Sequence, residues 1–320
     1  MIQISVVIPL YNEEESLPEL IEWISRVMKK HGFLYEIILV DDGSDDSSWT
    51  VIESLSESHP IKAIKFNMNY GKSAALNIGF KNSIGEVVIT MDADLQDSPD
   101  EIPELYEMVK SGTQLVSGWK KKRFDPISKT IPSKLFNGVT RLLSGIKLHD
   151  FNCGLKAYDQ RLVKTLDIYG EMHRYIPVIA KRNGFKKIGE KVVEHRARKY
   201  GKTKFGLERF IYGFLDLLSI SFVSRYKKRP MHFFGSLGTV SFLLGFVSVI
   251  WIIWEKVRAI VFLKTSDYRE VVDQPLFFIA ITAIIIGVQL FLAGFVGEMM
   301  VMNSHKRNDY IFDETIGLDQ

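Results

Sequence analysis

An α/β head with a mostly parallel sheet, followed by two membrane-crossing helices, is the architecture the sequence predicts. Three observations predict it. Apolar runs of strand length alternate with segments of helical period, two long runs near the C-terminus carry no charged residue, and acidic residues gather directly after the apolar runs. Strand and helix repeated in that order build a parallel sheet with helices on both faces.

The first strand is "ISVVIPL", a continuous apolar run of the buried-strand type. The next segment, "EESLPELIEWISRVMKK", places Leu17, Leu20, Ile21, Ile24, Val27 and Met28 at helical spacing. "YEIILV" is a second strand and ends in "DDGSDDSS", after which Trp49, Ile52 and Leu55 mark a helix. "IKAIKF" is the third strand, and "GKSAALNIGFKNSIG" reads as a helix closed by Gly85. The strand opening "EVVITMDADLQDSPD", a helix over 99–110 and the strand "QLVSGW" continue the alternation.

"FFGSLGTVSFLLGFVSVIWIIW" and "PLFFIAITAIIIGVQLFLAGFVG" are each long enough to cross a hydrocarbon core of ~30 Å. Soluble core helices of that length usually carry a polar stripe. His232, Trp251 and Trp254 mark the interface of the first run. Between the head and this run, Phe205, Leu207, Phe210, Ile211, Phe214, Leu215 and Leu218 form the apolar face of a membrane-skimming segment. The expected organisation is a head over 1–206, amphipathic juxtamembrane helices over 207–231, two transmembrane helices with an extracytoplasmic loop over 232–299, and a cytoplasmic tail over 300–320.

Within the 320 residues, the net charge of +3 is too small to argue for nucleic acid. The single cysteine, Cys153, allows no internal disulfide and fits a reducing compartment. The start has no basic stretch followed by a long apolar run, so the head is not expected to be exported. Six basic residues flank the spans on the head side, in "SRYKKRP" and "HKR", against Lys256, Arg258, Lys264 and Arg269 in the loop, a bias towards a cytoplasmic head. No G-x-G-x-x-G follows the first strand, which argues against a dinucleotide-binding enzyme.

In parallel sheets ligands sit beyond the carboxyl ends of the strands. Here those ends read "PLYNE", "VDDGS", "MDADLQ" and "SGWKKK", so the acids collect at one rim. Asp92 and Asp94 with the Gln96 amide oxygen are hard oxygen donors suited to Mg2+ or Mn2+, whose charge relieves the repulsion between the acids. Asp97 and Asp100, beside Ser98-Pro99, read instead as solvated helix caps. Asp41 directly follows a strand and is a site candidate, while Asp42, Asp45 and Asp46 can be turn and cap residues. The "KKKR" run reads either as a solvated face or, beside a membrane, as a site for an anionic headgroup. His149 and Cys153 read as structural residues of a packed loop.

"SVVIPLYNEEESL", "EIILVDDGSDDS", "NYGKSAALNIGF" and "VVITMDADLQDSPDEIPEL" stand in the order and spacing of family 2 glycosyltransferases with the GT-A fold. With "LHDFNCGLKAYDQRLV", "HRYIPVIAKRNGF", "HRARKYGKTKFG" and two C-terminal spans, nearly the whole chain resembles the polyprenyl-phosphate glycosyltransferases. That group includes dolichol-phosphate mannose synthase and bacterial undecaprenyl-phosphate glucosyltransferases. The resemblance implies a Rossmann-like GT-A head and an inverting transfer of a hexose from a UDP- or GDP-sugar to a polyprenyl phosphate, in the inner or plasma membrane. It implies that Pro9, Tyr11 and Glu13 border the base and ribose, that Asp41 reads the base, and that Asp92 contacts nucleotide and metal. It further implies that Asp94 and Gln96 complete the metal ligands, that Asp150 lies beside the acceptor phosphate, and that Arg198 and Lys204 hold phosphates. Lys122 falls near a position where relatives carry Arg, and Thr203 stands where they often have Ser. A processive polysaccharide synthase of the same superfamily would show Q-x-x-R-W and more spans; a silent scaffold would not need the "DAD", "HDF" and "RKYGKTK" motifs intact. The resemblance leaves room for a homo-oligomer.

Overall fold

The computed structural model describes residues 2–121, 137–142, 144–197, 199–200, 230–264 and 269–302. The juxtamembrane helix expected over 207–231 lies outside these residues up to position 229, as do Lys122, Arg198, Lys204 and all of the tail beyond position 302. The chain divides into two units, Met1–Ser221 and Phe222–Gln320.

The first unit holds one seven-stranded sheet in the order β3-β2-β1-β4-β6-β5-β7. Its strands are β1 (Ile4–Leu10), β2 (Tyr35–Asp41), β3 (Ile61–Lys65), β4 (Val87–Thr90), β5 (Leu115–Trp119), β6 (Lys156–Asp159) and β7 (Ile188–Val192). Strands β1 to β4 pair in parallel, and β1 is central, with Ile4, Val6, Val7 and Ile8 wholly buried. Burial on both faces is why β1 reads as an unbroken apolar run, each such side chain contributing about 1.5–3 kcal/mol. Helices α1 (Leu17–His31), α2 (Ser48–Ser56), α3 (Lys72–Asn82) and α4 (Ile102–Lys110) fill the connections read from the sequence, and the short helices α5 (Gln160–Lys164) and α6 (Ile176–Arg182) lie between β6 and β7.

Two features depart from the sequence reading. Strand β6 runs antiparallel to both β4 and β5, which makes the sheet mixed. Its four residues, "KAYD", open with a lysine and have no apolar run to announce them. Gly85 does not cap α3, which ends at Asn82 with Ser83 extended at ψ 137°. Gly85 instead lets two chains approach, since a β-carbon there would come 2.5 Å from the Ser5 nitrogen.

In the second unit, α7 (Pro230–Val257) continues through a π-helical turn, Arg258–Phe262, and α8 spans Pro275–Met302. The first of these helices is therefore longer at both ends than the uncharged run suggested. Glycines set their approach: a β-carbon on Gly238 would lie 2.6 Å from the Gly287 carbonyl oxygen, and one on Gly245 would lie 2.5 Å from that of Ala280. Small residues at a crossing let backbones pack where no hydrophobic force favours one helix over lipid. Ser241 Oγ donates across the crossing to the Ala283 carbonyl at 2.8 Å. The outward faces, with Leu244, Val247 and Trp251 on α7 and Ile279 and Phe295 on α8, are exposed and apolar. Both helices are long and apolar enough to span a bilayer, and little of either is buried within the described residues.

Candidate active site

The acids after β4 occupy a tight turn. Leu95, buried, adopts φ 60°, a left-handed conformation costing a residue with a β-carbon about 1–2 kcal/mol. That turn lets the Gln96 N–H donate to Asp94 Oδ1 at 3.2 Å. Asp94 is buried, while Asp92 and Gln96 are partly exposed. Asp92 Oδ1 accepts from Lys72 Nζ, at the first turn of α3. Burial opposes the charge of Asp92, but Lys72, Lys120 and Lys156 outweigh it and hold its carboxyl at about 2. Gly154, on the chain entering β6, lies directly against this carboxylate.

Asp97 is not the solvated cap expected of it. It is 1% exposed and forms an ion pair with Lys120 Nζ at 2.7 Å. Burial raises its pKa and Asp92 and Asp94 add to the rise, against the pull of Lys120. Lys120, the first lysine of the "KKKR" run, is accordingly no solvated residue. Burial works against its charge, yet Asp97 and Asp92 keep its pKa above the usual lysine value. An isolated antiparallel bridge joins Asp97 to His195, and the Arg196 N–H donates to the Gln96 carbonyl at 2.9 Å. The segment just before Arg198 is thereby carried onto the loop of Asp94, Gln96 and Asp97.

At the ends of β1 and β2, Pro9 lies in register with Val40 and Leu10 with Asp41. Tyr11 and Glu13 follow on the same partly buried loop, the Glu13 N–H donating to Ser48 Oγ at 2.9 Å. Asp41 is wholly buried; its Oδ1 accepts the Ser44 N–H at 2.9 Å, whereas its Oδ2 has no hydrogen-bond partner among the described residues. An orphaned buried carboxylate oxygen at a strand end is an acceptor awaiting a donor. Asp42 is used internally, accepting from the N–H groups of Tyr70 and Gly71 at 2.7 and 2.9 Å, and Asp46 accepts from the Ser48 N–H at 2.9 Å.

Asp150 is 1% exposed, and its Oδ1 accepts the Asn152 N–H at 3.0 Å. Glu190 on β7 grips this loop, accepting from the N–H groups of His149 and Asp150 at 2.6 and 3.1 Å and pairing with His149 Nδ1 at 2.6 Å. His149 is half exposed and stacks on Trp119, with ring centroids 4.0 Å apart. It is therefore an exposed residue of the rim, held in place by that stacking and by Glu190. Cys153 keeps its structural reading: burial pushes its thiol up to about 12, which leaves no thiolate for chemistry. Lys156, buried on β6, donates to the Cys153 carbonyl; burial lowers its pKa, while Asp150 and Asp92 both favour its charge.

Lys72, Lys120, Lys156 and Glu190 were thus not singled out from the sequence. A lysine between apolar residues in "GLKAY" is the one local signal among them. The donor set of Asp92, Asp94 and Gln96 fits a hard divalent cation. Among the described residues no three His, Cys, Asp or Glu side chains converge as a metal cage. A cation held there would therefore draw its remaining ligands from water and substrate phosphates, as is usual for Mg2+.

The chain matches the family described as glycosyl transferase family 2 over residues 5–167. It is 34% identical over 315 residues to dodecaprenyl-phosphate galacturonate synthase of Rhizobium johnstonii, a match covering 96% of this chain and 90% of that one. It is 37% identical over 253 residues to the undecaprenyl-phosphate 4-deoxy-4-formamido-L-arabinose transferase of Pectobacterium atrosepticum, covering 78% and 75%. Among solved structures it resembles glucosyl-3-phosphoglycerate synthase of Mycobacterium tuberculosis, crystallised with Mn2+, UDP-glucose and phosphoglyceric acid. The TM-score is 0.55 at 21% identity, over 68% of this chain and 79% of that one, a likeness of fold.

Proposed function

This chain belongs to glycosyltransferase family 2, and from that premise we propose that it transfers a hexose from a UDP- or GDP-sugar to a polyprenyl phosphate, with inversion at the anomeric carbon. The observation that carries the reading is that the loop bearing Asp150 runs on to Gly154, which lies directly against the Asp92 carboxylate. Donor-side and acceptor-side acids therefore share one rim, in a chain that also carries two membrane-length helices.

On the donor side, Asp41 Oδ2 would accept an N–H of the base, with Pro9, Tyr11 and Glu13 around base and ribose. A bound Mg2+ or Mn2+, held by Asp92, Asp94 and the Gln96 oxygen, would supply charge to stabilise the departing diphosphate. Lys122, Arg198 and Lys204 would add positive charge against the phosphates. In the transfer, an oxygen of the lipid phosphate forms a bond to the anomeric carbon as the bond from that carbon to the diphosphate oxygen breaks, its electron pair leaving with the nucleoside diphosphate. A phosphate monoester has a second pKa near ~6, so near neutral pH the attacking oxygen is already charged and no proton need move. Asp150 would orient the acceptor. The six basic residues on the head side favour a cytoplasmic head on a two-span protein of the inner or plasma membrane.

Full-length protein in detergent, given short polyprenyl phosphate and radiolabelled UDP- and GDP-sugars, tests this directly. Lipid-extractable label is expected from one of the sugars. Label found only in polymer or only in the water phase would reject the acceptor.

A further inference from the structure

Lys72 stands where a metal ligand is needed. Its ammonium and the Asp92 carboxylate form an ion pair whose two side chains are about equally accessible, at 31% and 32% exposure. The backbone of Lys72 is held from both sides. Asp42 accepts from the N–H groups of Tyr70 and Gly71 just before it. Ser73 just after it is buried, accepting the His173 N–H at 3.0 Å and bonding His173 Nδ1 at 3.0 Å. The ammonium thus reaches Asp92 from a fixed base rather than from a free surface rotamer. Lys120 and Lys156 add positive charge around Asp92, and Gly154 lies directly against its carboxylate.

Resting on the reading of Asp92 as a donor-site ligand, we infer that Lys72 is its internal counter-ion and makes metal binding conditional on the nucleotide. A cation that arrives alone must break the ion pair and compete with the lysine charges already set against Asp92. A nucleoside diphosphate reverses that balance, because its phosphates offer ligands to the metal and an alternative anion to the ammonium. Metal and nucleotide then bind with strong positive coupling, and the site does not fill with metal in the absence of donor.

The test is Mn2+ binding to the full chain in detergent, read from the electron paramagnetic resonance signal of free Mn2+, with and without UDP or GDP. Lys72→Met should bind Mn2+ alone about tenfold more tightly than wild type, since a unit charge close to a divalent ion is removed from a half-exposed site. The factor by which nucleotide tightens Mn2+ should shrink. Lys72→Arg, which keeps the charge, should bind Mn2+ alone as wild type does, and Lys72→Gln serves if the methionine variant does not fold. Unchanged or weaker Mn2+ binding by the neutral variants, with wild type still taking up Mn2+ alongside nucleotide, overturns the role of Lys72 only. If wild type takes up no Mn2+ even with nucleotide, the metal reading of Asp92 falls and this inference with it.

Discussion

Gly154 and Asp92 touch so closely that a β-carbon built on Gly154 would lie 2.5 Å from the carboxylate. Gly154 has no left-handed φ, so alanine is accepted by the backbone, and the three nearest atoms it would meet all belong to the Asp92 carboxylate. Gly154→Ala should therefore move the carboxylate while leaving the sheet folded. Misplacing a group by about an ångström can cost ~100-fold in rate. Transfer should fall by that order with the melting temperature nearly kept, and an active Gly154→Ala protein would show that Asp92 does not need its present position.

Lys120 and Asp97 form a buried pair, and breaking it from one side leaves a charge without a partner. Lys120→Met should destabilise the head by about 3–5 kcal/mol at neutral pH. The sign of its pH dependence follows from Asp97, whose carboxyl is raised above its ordinary 3.8 even with the lysine present. A carboxyl raised on folding favours the folded state below its unfolded value and loses that advantage as the pH climbs through the folded one. Removing Lys120 raises it further, so the melting temperature of Lys120→Met relative to wild type should fall between pH 5 and pH 8. The double variant with Asp97→Asn should be flat over the same range.

What was legible in the sequence was local. An apolar run ending in acid, as in "VVITMDADLQ", shows both the strand and the rim, and β1, β2 and β4 follow from such runs. The counter-charges were not legible, because Lys72, Lys120 and Lys156 come from three separate segments. Only the order β4-β6-β5, with β6 reversed between them, brings the last two to the acids. Asp97 misled because Ser98-Pro99 beside it does begin a short 3-10 turn, Pro99–Glu101, while the side chain turns inward to Lys120. Glu190 sits in "IGEKV", a partly exposed strand at the sheet edge with no period to mark it.

The helix pair of the second unit depends on Gly287, where a β-carbon would meet the Phe242 nitrogen at 2.6 Å and the Gly238 oxygen at 2.7 Å. Gly287→Leu should force the helices apart, an overpacking cost of about 1–3 kcal/mol. Cysteines placed at Ser241 and Ala283, which hydrogen-bond across the crossing, report the distance. A short bifunctional thiol reagent should link them efficiently in the parent and poorly in Gly287→Leu. Equal linking would mean that the crossing tolerates a side chain.

Asp150→Asn separates geometry from charge, because an asparagine oxygen can still accept the Asn152 N–H that shapes the loop. Glu190 and Ser117 hold the backbone of Asp150 in either protein. If the carboxylate removes a proton from the acceptor, the variant should fall further behind as the pH rises, since wild type gains a competent base that the variant lacks. If the lipid phosphate attacks as its own dianion, both profiles should follow the phosphate's second ionisation near ~6, offset by a constant factor. The second outcome is expected, because the acceptor brings its own charge and a buried, doubly tethered acid is built to hold a position. A ratio of chemical-step rates, wild type over variant, that changes by about tenfold between pH 6 and pH 8 would assign proton transfer to Asp150 instead.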